Sequence, residues 1–147
     1  MIDIHTHILY GVDDGAIDFN ESIEMLKQQL KQGITKVILT PHVENRVQKV
    51  SSSEIKTRFL EFKEMVREVL PEIELYLGYE VMYHRTKKID YQKYVFEGSN
   101  KVLIEFSTVN EEPISDIIFD LKANGFQPII AHAERYLYLT NEDYHVI

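Results

Sequence analysis

The sequence predicts an α/β fold organised around a parallel sheet, and two observations carry that prediction. Short runs rich in β-branched residues, Ile2 to Ile4, Val37 to Thr40, Glu74 to Leu77, Val102 to Ile104 and Pro128 to Ala131, have the length and composition of strands. Most are separated by stretches with helical spacing, long enough for the right-handed crossovers that join parallel strands. A sheet built from hairpins would not need such connections.

The intervening helices carry their own start and stop signals. Asn20 is placed to cap a first helix whose apolar positions Ile23, Leu26 and Leu30 recur at three and four, with Gly33 closing it in a left-handed conformation. Ser51-Ser52-Ser53-Glu54 forms a capping-box pattern ahead of Ile55, Phe59, Phe62, Val66 and Val69, and Pro71 forbids continuation. A third helix has Pro113 at its first turn, an inner face of Ile114, Ile117, Ile118 and Leu121, and Gly125 as its stop. These stripes read as sheet-packing core rather than as a cofactor or partner surface.

The 147 residues fit one domain, and a composition 44% hydrophobic supports a sizeable core. No run is long and apolar enough to span a membrane and no export signal opens the chain, so a cytoplasmic protein is expected. The absence of cysteine excludes disulfides, thiolate nucleophiles and thiolate metal ligands. A net charge of −8 argues against a nucleic-acid surface, because phosphate backbones are held by basic groups. Bound divalent cations would offset part of that charge.

Chemistry gathers where the apolar runs stop. His5 and His7 follow the first, His42 the second, Glu80 the third, Glu105 the fourth and His132 the fifth. In parallel α/β folds the C-terminal rim of the strands is where functional groups collect. Residues two apart in a strand point to the same side, so His5 and His7 can offer both imidazoles to one ion. The loop Gly11-Val12-Asp13-Asp14-Gly15 can fold back over the same place. Imidazoles together with carboxylates suit zinc, iron or manganese. His84 lies in a polar stretch with Arg85, Lys87 and Lys88 and reads as a solvated loop residue, and His145 has no apolar strand before it; neither is counted as a ligand.

His5-Thr6-His7, Asp13-Asp14-Gly15, Thr40-Pro41-His42, Gly78-Tyr79-Glu80, Ile104-Glu105 and His132-Ala133-Glu134-Arg135 together resemble the PHP (polymerase and histidinol phosphatase) superfamily. More narrowly, Asp3-Ile4-His5-Thr6-His7 with Val12-Asp13-Asp14-Gly15-Ala16 and His132-Ala133-Glu134-Arg135 resembles the CpsB/CapC/YwqE-type bacterial protein-tyrosine phosphatases linked to capsule and exopolysaccharide control. Ala133 stands where that family usually has proline, a change expected to affect loop stiffness rather than ligation.

The resemblance implies a distorted (β/α)7 barrel with up to three divalent ions, manganese foremost, iron or zinc otherwise. It implies His5 and His7 on one ion, Glu80 bridging to a second completed by Glu105 and His132, and Asp14 and His42 on a third. Arg135 matches a phosphate-contacting arginine, and Arg46, in the loop after His42, is a weaker candidate for the same task. The implied activity is hydrolysis of phosphotyrosine by a metal-activated hydroxide, on a protein partner such as a tyrosine kinase of polysaccharide export. A histidinol-phosphatase type of small-molecule phosphomonoesterase, or a non-catalytic metal- and phosphopeptide-binding fragment, are the alternatives. Residues 1–147 are read as a single PHP domain lacking the C-terminal part of the barrel, with about five strands present and a late Asp-x-His motif missing. Exposed edges and self-association are the expected consequence.

Overall fold

A computed structural model describes residues 1–139; His145 lies outside the described residues. The strands are β1 (Ile2–Thr6), β2 (Lys36–Leu39), β3 (His42–Val43), β4 (Glu74–Leu77), β5 (Glu80–Met82), β6 (Lys101–Glu105) and β7 (Gln127–Ile130). The α-helices are α1 (Phe19–Lys31), α2 (Ser52–Val69) and α3 (Ile114–Ala123). Every strand pairing among the described residues is parallel, as the long connections predict.

The expected strand lines are present, but two are interrupted. β2 stops at Leu39 and resumes as β3 at His42; β4 stops at Leu77 and resumes as β5 at Glu80. Pro41 has no N–H to give to a ladder. Gly78 passes so close to Phe96 that a Cβ there would lie 2.4 Å from the ring. The two lines stay tied across the break, since Gly78 N donates to Leu39 O at 2.8 Å and Glu80 N to Pro41 O at 3.1 Å. The early segments join β1 in a sheet ordered β1-β2-β4, and the late segments join the sheet β3-β5-β6-β7. The break therefore carries His42 and Glu80 onto short strands of their own, paired side by side in register.

Helix limits follow the sequence signals with three corrections. Asp18, not Asn20, caps α1: its carboxylate accepts from Glu21 N at 3.0 Å, and a charged acceptor suits the positive end of a helix. Val69 is exposed instead of facing inward, because α2 ends there and Leu70 turns into the core. Pro113 stands just before α3 rather than inside its first turn. The Ser51–Glu54 capping box forms as expected.

Ile55, Phe59, Phe62 and Val66 of α2 and Ile23 and Leu26 of α1 pack with Val37, Leu39, Val81, Val102 and Ile104 of the strands in one apolar core. Ile2 and Ile4 of β1 stay 49% and 40% exposed, so the first apolar run is not all core. No helix among the described residues is long and apolar enough to cross a membrane.

Candidate metal centre

The loop after β1 is built to return on itself. Gly11 N donates to Ala16 O at 2.8 Å and Ala16 N to His7 O at 3.0 Å, while Ile8, Leu9 and Val12 are buried beneath. Gly15 presses onto His7, and a Cβ there would sit 2.2 Å from the His7 carbonyl oxygen. Only glycine allows that approach. The fold-back brings Asp13 and Asp14 over the end of β1.

The other groups arrive from separate strands. His42 opens β3, Glu80 opens β5 and Glu105 ends β6, so Glu80 starts a segment where the sequence alone has it ending one. His132 lies just past β7 with φ 35°, a left-handed conformation uncommon for a residue with a side chain. Such local strain is typical of functional positions.

Glu80 is the meeting point. Its Oε2 lies 2.9 Å from His5 Nε2 and 2.9 Å from His7 Nε2, and its Oε1 lies 2.9 Å from His132 Nε2. The residue is 1% exposed. His42 Nε2 is 3.6 Å from Asp14 Oδ1, and His42 Nδ1 is 3.2 Å from Glu105 Oε2 without the alignment of a hydrogen bond. Three donor groups each fall within 4.8 Å: His5, His7 and Glu80; His7, Asp14 and His42; His42, Glu80 and Glu105. A buried ring nitrogen without a hydrogen-bond partner, facing carboxylate oxygens, fits a cation better than it fits a purely structural cluster.

All seven of the expected ligands line one open depression of about 490 Å³, together with Arg135. Arg135 is exposed at its margin, 3.9 Å from Glu134. Arg46 is also exposed but does not line the depression. His84 lies outside it, partly buried against the Glu44 carbonyl rather than fully solvated. A larger groove of about 970 Å³ runs between α3 and the segment from Tyr83 to Tyr91, away from the histidines.

Proximity reshapes the proton affinities. Burial alone would lower the pKa of His7, but hydrogen bonds and charge from Asp13 and Glu80 overcome it and push the value up to about 10. Burial acts in the opposite sense on Glu80, and the His5 and His7 contacts override it, leaving Glu80 well below the usual carboxylate range. Asp13 is lowered against burial by His7 and by the backbone N–H groups of His42 and Gly15. His42 is raised against burial by Glu105 and Glu80. The carboxylates around His7 and His42 hold protons on those two imidazoles, and divalent cations satisfy the same negative charge when those protons leave.

Residues 1–146 match the family model described as capsular polysaccharide synthesis, CpsB/CapC. The chain belongs to the CpsB/CapC family. It is 35% identical over 140 residues to the tyrosine-protein phosphatase YwqE of Bacillus subtilis, covering 92% of this chain and 55% of that protein. It is 31% identical over 147 residues to the tyrosine-protein phosphatase CpsB of Streptococcus pneumoniae, covering 97% of this chain and 60% of that one. A solved structure from work on YwqE and CpsB, described as unique metal-dependent tyrosine phosphatases, superposes with TM-score 0.79 at 31% identity, over 92% of this chain and 56% of the other. The chain thus spans little more than half the length of the relatives it matches.

Three groups around this CpsB/CapC cluster escaped the sequence reading. Asp13 contacts His7 Nδ1 at 2.9 Å. Asn45 donates its amide to Glu105 Oε2 at 2.9 Å. The Tyr136 hydroxyl accepts from Phe106 N at 3.0 Å and lies 3.3 Å from His132 Nδ1. Asp13 lies within Asp13-Asp14-Gly15, but spacing does not say which of two adjacent carboxylates turns inward. Asn45 and Tyr136 carried no signal beyond nearness to His42 and His132.

Proposed function

We propose that this chain carries the metal site of a metal-dependent protein-tyrosine phosphatase acting in the control of capsular or exopolysaccharide synthesis. The observation that bears most weight is Glu80, buried and contacted by His5, His7 and His132 through both oxygens, with an exposed arginine at the margin of the same depression. The names of the relatives support the phosphotyrosine substrate. A phosphotyrosyl protein, foremost a bacterial tyrosine kinase of polysaccharide export, is the partner proposed, and the cytoplasm the location.

In this reading His5, His7 and Glu80 hold one ion, Glu80 reaches a second with Glu105 and His132, and Asp14 and His42 serve a third. The mixed nitrogen and oxygen donors suit manganese, with iron or zinc as the alternatives for metal analysis to decide. Divalent cations bound there lower the pKa of water and neutralise phosphoryl oxygens. The remaining work falls to the chain itself. Arg135 offers planar N–H donors to the phosphoryl group, and its exposure leaves room for a phosphotyrosine presented on a protein surface. Arg46, on the neighbouring loop, is a second candidate for that contact. With no cysteine in the sequence, no phosphocysteine forms on this chain. Residues 1–147 are proposed as one domain, the first part of a PHP-type (β/α)7 barrel to which the further length of the relatives adds strands.

The test is phosphate release from a phosphotyrosyl peptide and from histidinol phosphate, with and without chelation, by this chain and by one extended to the relatives' length. Preference for the peptide, loss on chelation and restoration by Mn²⁺ are expected, with iodoacetamide without effect. Full turnover at confirmed near-zero metal content would overturn the metal-dependent reading. Preference for histidinol phosphate would move the substrate to the small-molecule class.

A further inference from the structure

We infer that Asp13, which belongs to none of the donor groups, is a positioning residue that ties two neighbouring cation positions into one unit; the inference rests on the metal-dependent reading above. Asp13 is 0% exposed. Its Oδ2 lies 2.9 Å from His7 Nδ1 and accepts from the His42 backbone N at 3.0 Å, and its Oδ1 accepts from Gly15 N at 2.9 Å. A carboxylate on Nδ1 keeps the proton there, so that Nε2, which faces Glu80 at 2.9 Å, is the nitrogen free to ligate.

The same carboxylate fixes the main chain of His42, whose ring stacks on that of His7 with centroids 4.4 Å apart. His7 is shared between the group with His5 and Glu80 and the group with Asp14 and His42. One buried side chain thus sets the tautomer of the shared histidine and the backbone of its neighbour. Its third bond, to Gly15, closes the loop that holds Asp14 opposite His42, although the Asp14 side chain is 60% exposed. Three N–H donors converge on Asp13. An asparagine has one acceptor oxygen and would set its own NH₂ against at least one of them.

The experiment compares the unaltered chain with Asp13→Asn and Asp13→Ala. Each is stripped by chelation and titrated with Mn²⁺, with fold monitored by far-UV circular dichroism. Asp13→Asn is expected to stay folded and bind Mn²⁺ about 10- to 100-fold more weakly, the range for losing a carboxylate behind a ligating histidine. In the unaltered chain loaded with diamagnetic Zn²⁺, nitrogen NMR of the imidazoles is expected to show His7 protonated at Nδ1 and metallated at Nε2. A structural role alone would not fix that signature, and it remains readable even where a variant fails to fold. Mn²⁺ affinity within twofold of the parent in a folded Asp13→Asn chain, or His7 ligating through Nδ1, overturns the inference. A parent that binds neither cation overturns the metal-dependent reading, and this inference with it.

Discussion

Glu80 Oε1 lies 2.9 Å from His132 Nε2, although 52 residues separate them and each belongs to a different strand line. The contact closes the cluster across β5, β6 and β7, whose parallel ladder sets Glu80 opposite Leu103 and Leu103 opposite Ile129. A side chain that joins groups from three strand lines should matter more to metal retention than one at the margin.

Glu80→Ala is therefore expected to lower metal affinity at least 100-fold, whereas Arg135→Ala keeps its metal and loses about 10- to 100-fold in kcat/KM. Metal content after desalting, beside turnover of a phosphotyrosyl peptide, distinguishes the two. Equal metal content in Glu80→Ala and the parent would contradict the assigned hub.

The pH dependence of the chelated chain follows from the same contacts. His7 has its pKa raised from an ordinary value near 6.5 to about 10, so its stabilising contribution is complete below about 6.5 and is lost as pH climbs toward 10. Glu80 and Asp13 are lowered, so theirs is present above the ordinary carboxylate range and fades as pH falls through and below it. Stability from this cluster should peak between about pH 4.5 and 6.5. Urea midpoints across pH 3 to 10 with chelator present check this. Loaded with metal, the optimum should move upward, because cations displace the histidine protons and bind more tightly as pH rises. Proton release on Mn²⁺ addition at pH 7 gives the direct readout.

Gly15 and Gly33 separate packing from backbone strain. Gly33 has φ 78° with nothing within 4 Å of an added Cβ, so Gly33→Ala should cost about 1 kcal/mol and leave metal affinity unchanged. At Gly15 the added carbon meets the His7 backbone at 2.2 Å, and Gly15→Ala should cost about 3 kcal/mol and weaken metal binding as well. Urea melts and Mn²⁺ titrations on both variants test the contrast.

Length is the last variable. β1 and β7 each have a partner on one side only among the described residues, and Ile2 and Ile4 of β1 are exposed. Such edges favour pairing with further strands. A chain extended to the relatives' length is expected to hold more metal per molecule and sediment with less self-association than residues 1–147. Equal metal content and the same sedimentation at both lengths would show the extension to be dispensable for the site.

The sequence by itself determined what depends on near neighbours. Strand lines follow from β-branched runs, the α2 start from Ser51 and Glu54, and the α1 and α3 stops from Gly33 and Gly125, because propensity, capping and positive φ act within a few residues. It also marked the groups that reach the depression, since a polar residue right after an apolar run has the rim as its natural place. The tertiary structure decided the rest. It split two strand lines at Pro41 and Gly78, which gave His42 and Glu80 strands of their own in register. It turned Asp13 inward and left Asp14 at the open side, and it set Asn45 and Tyr136 behind Glu105 and His132. Those choices depend on loop closure and close approach between chain segments tens of residues apart, and no local periodicity encodes the distance between two such segments.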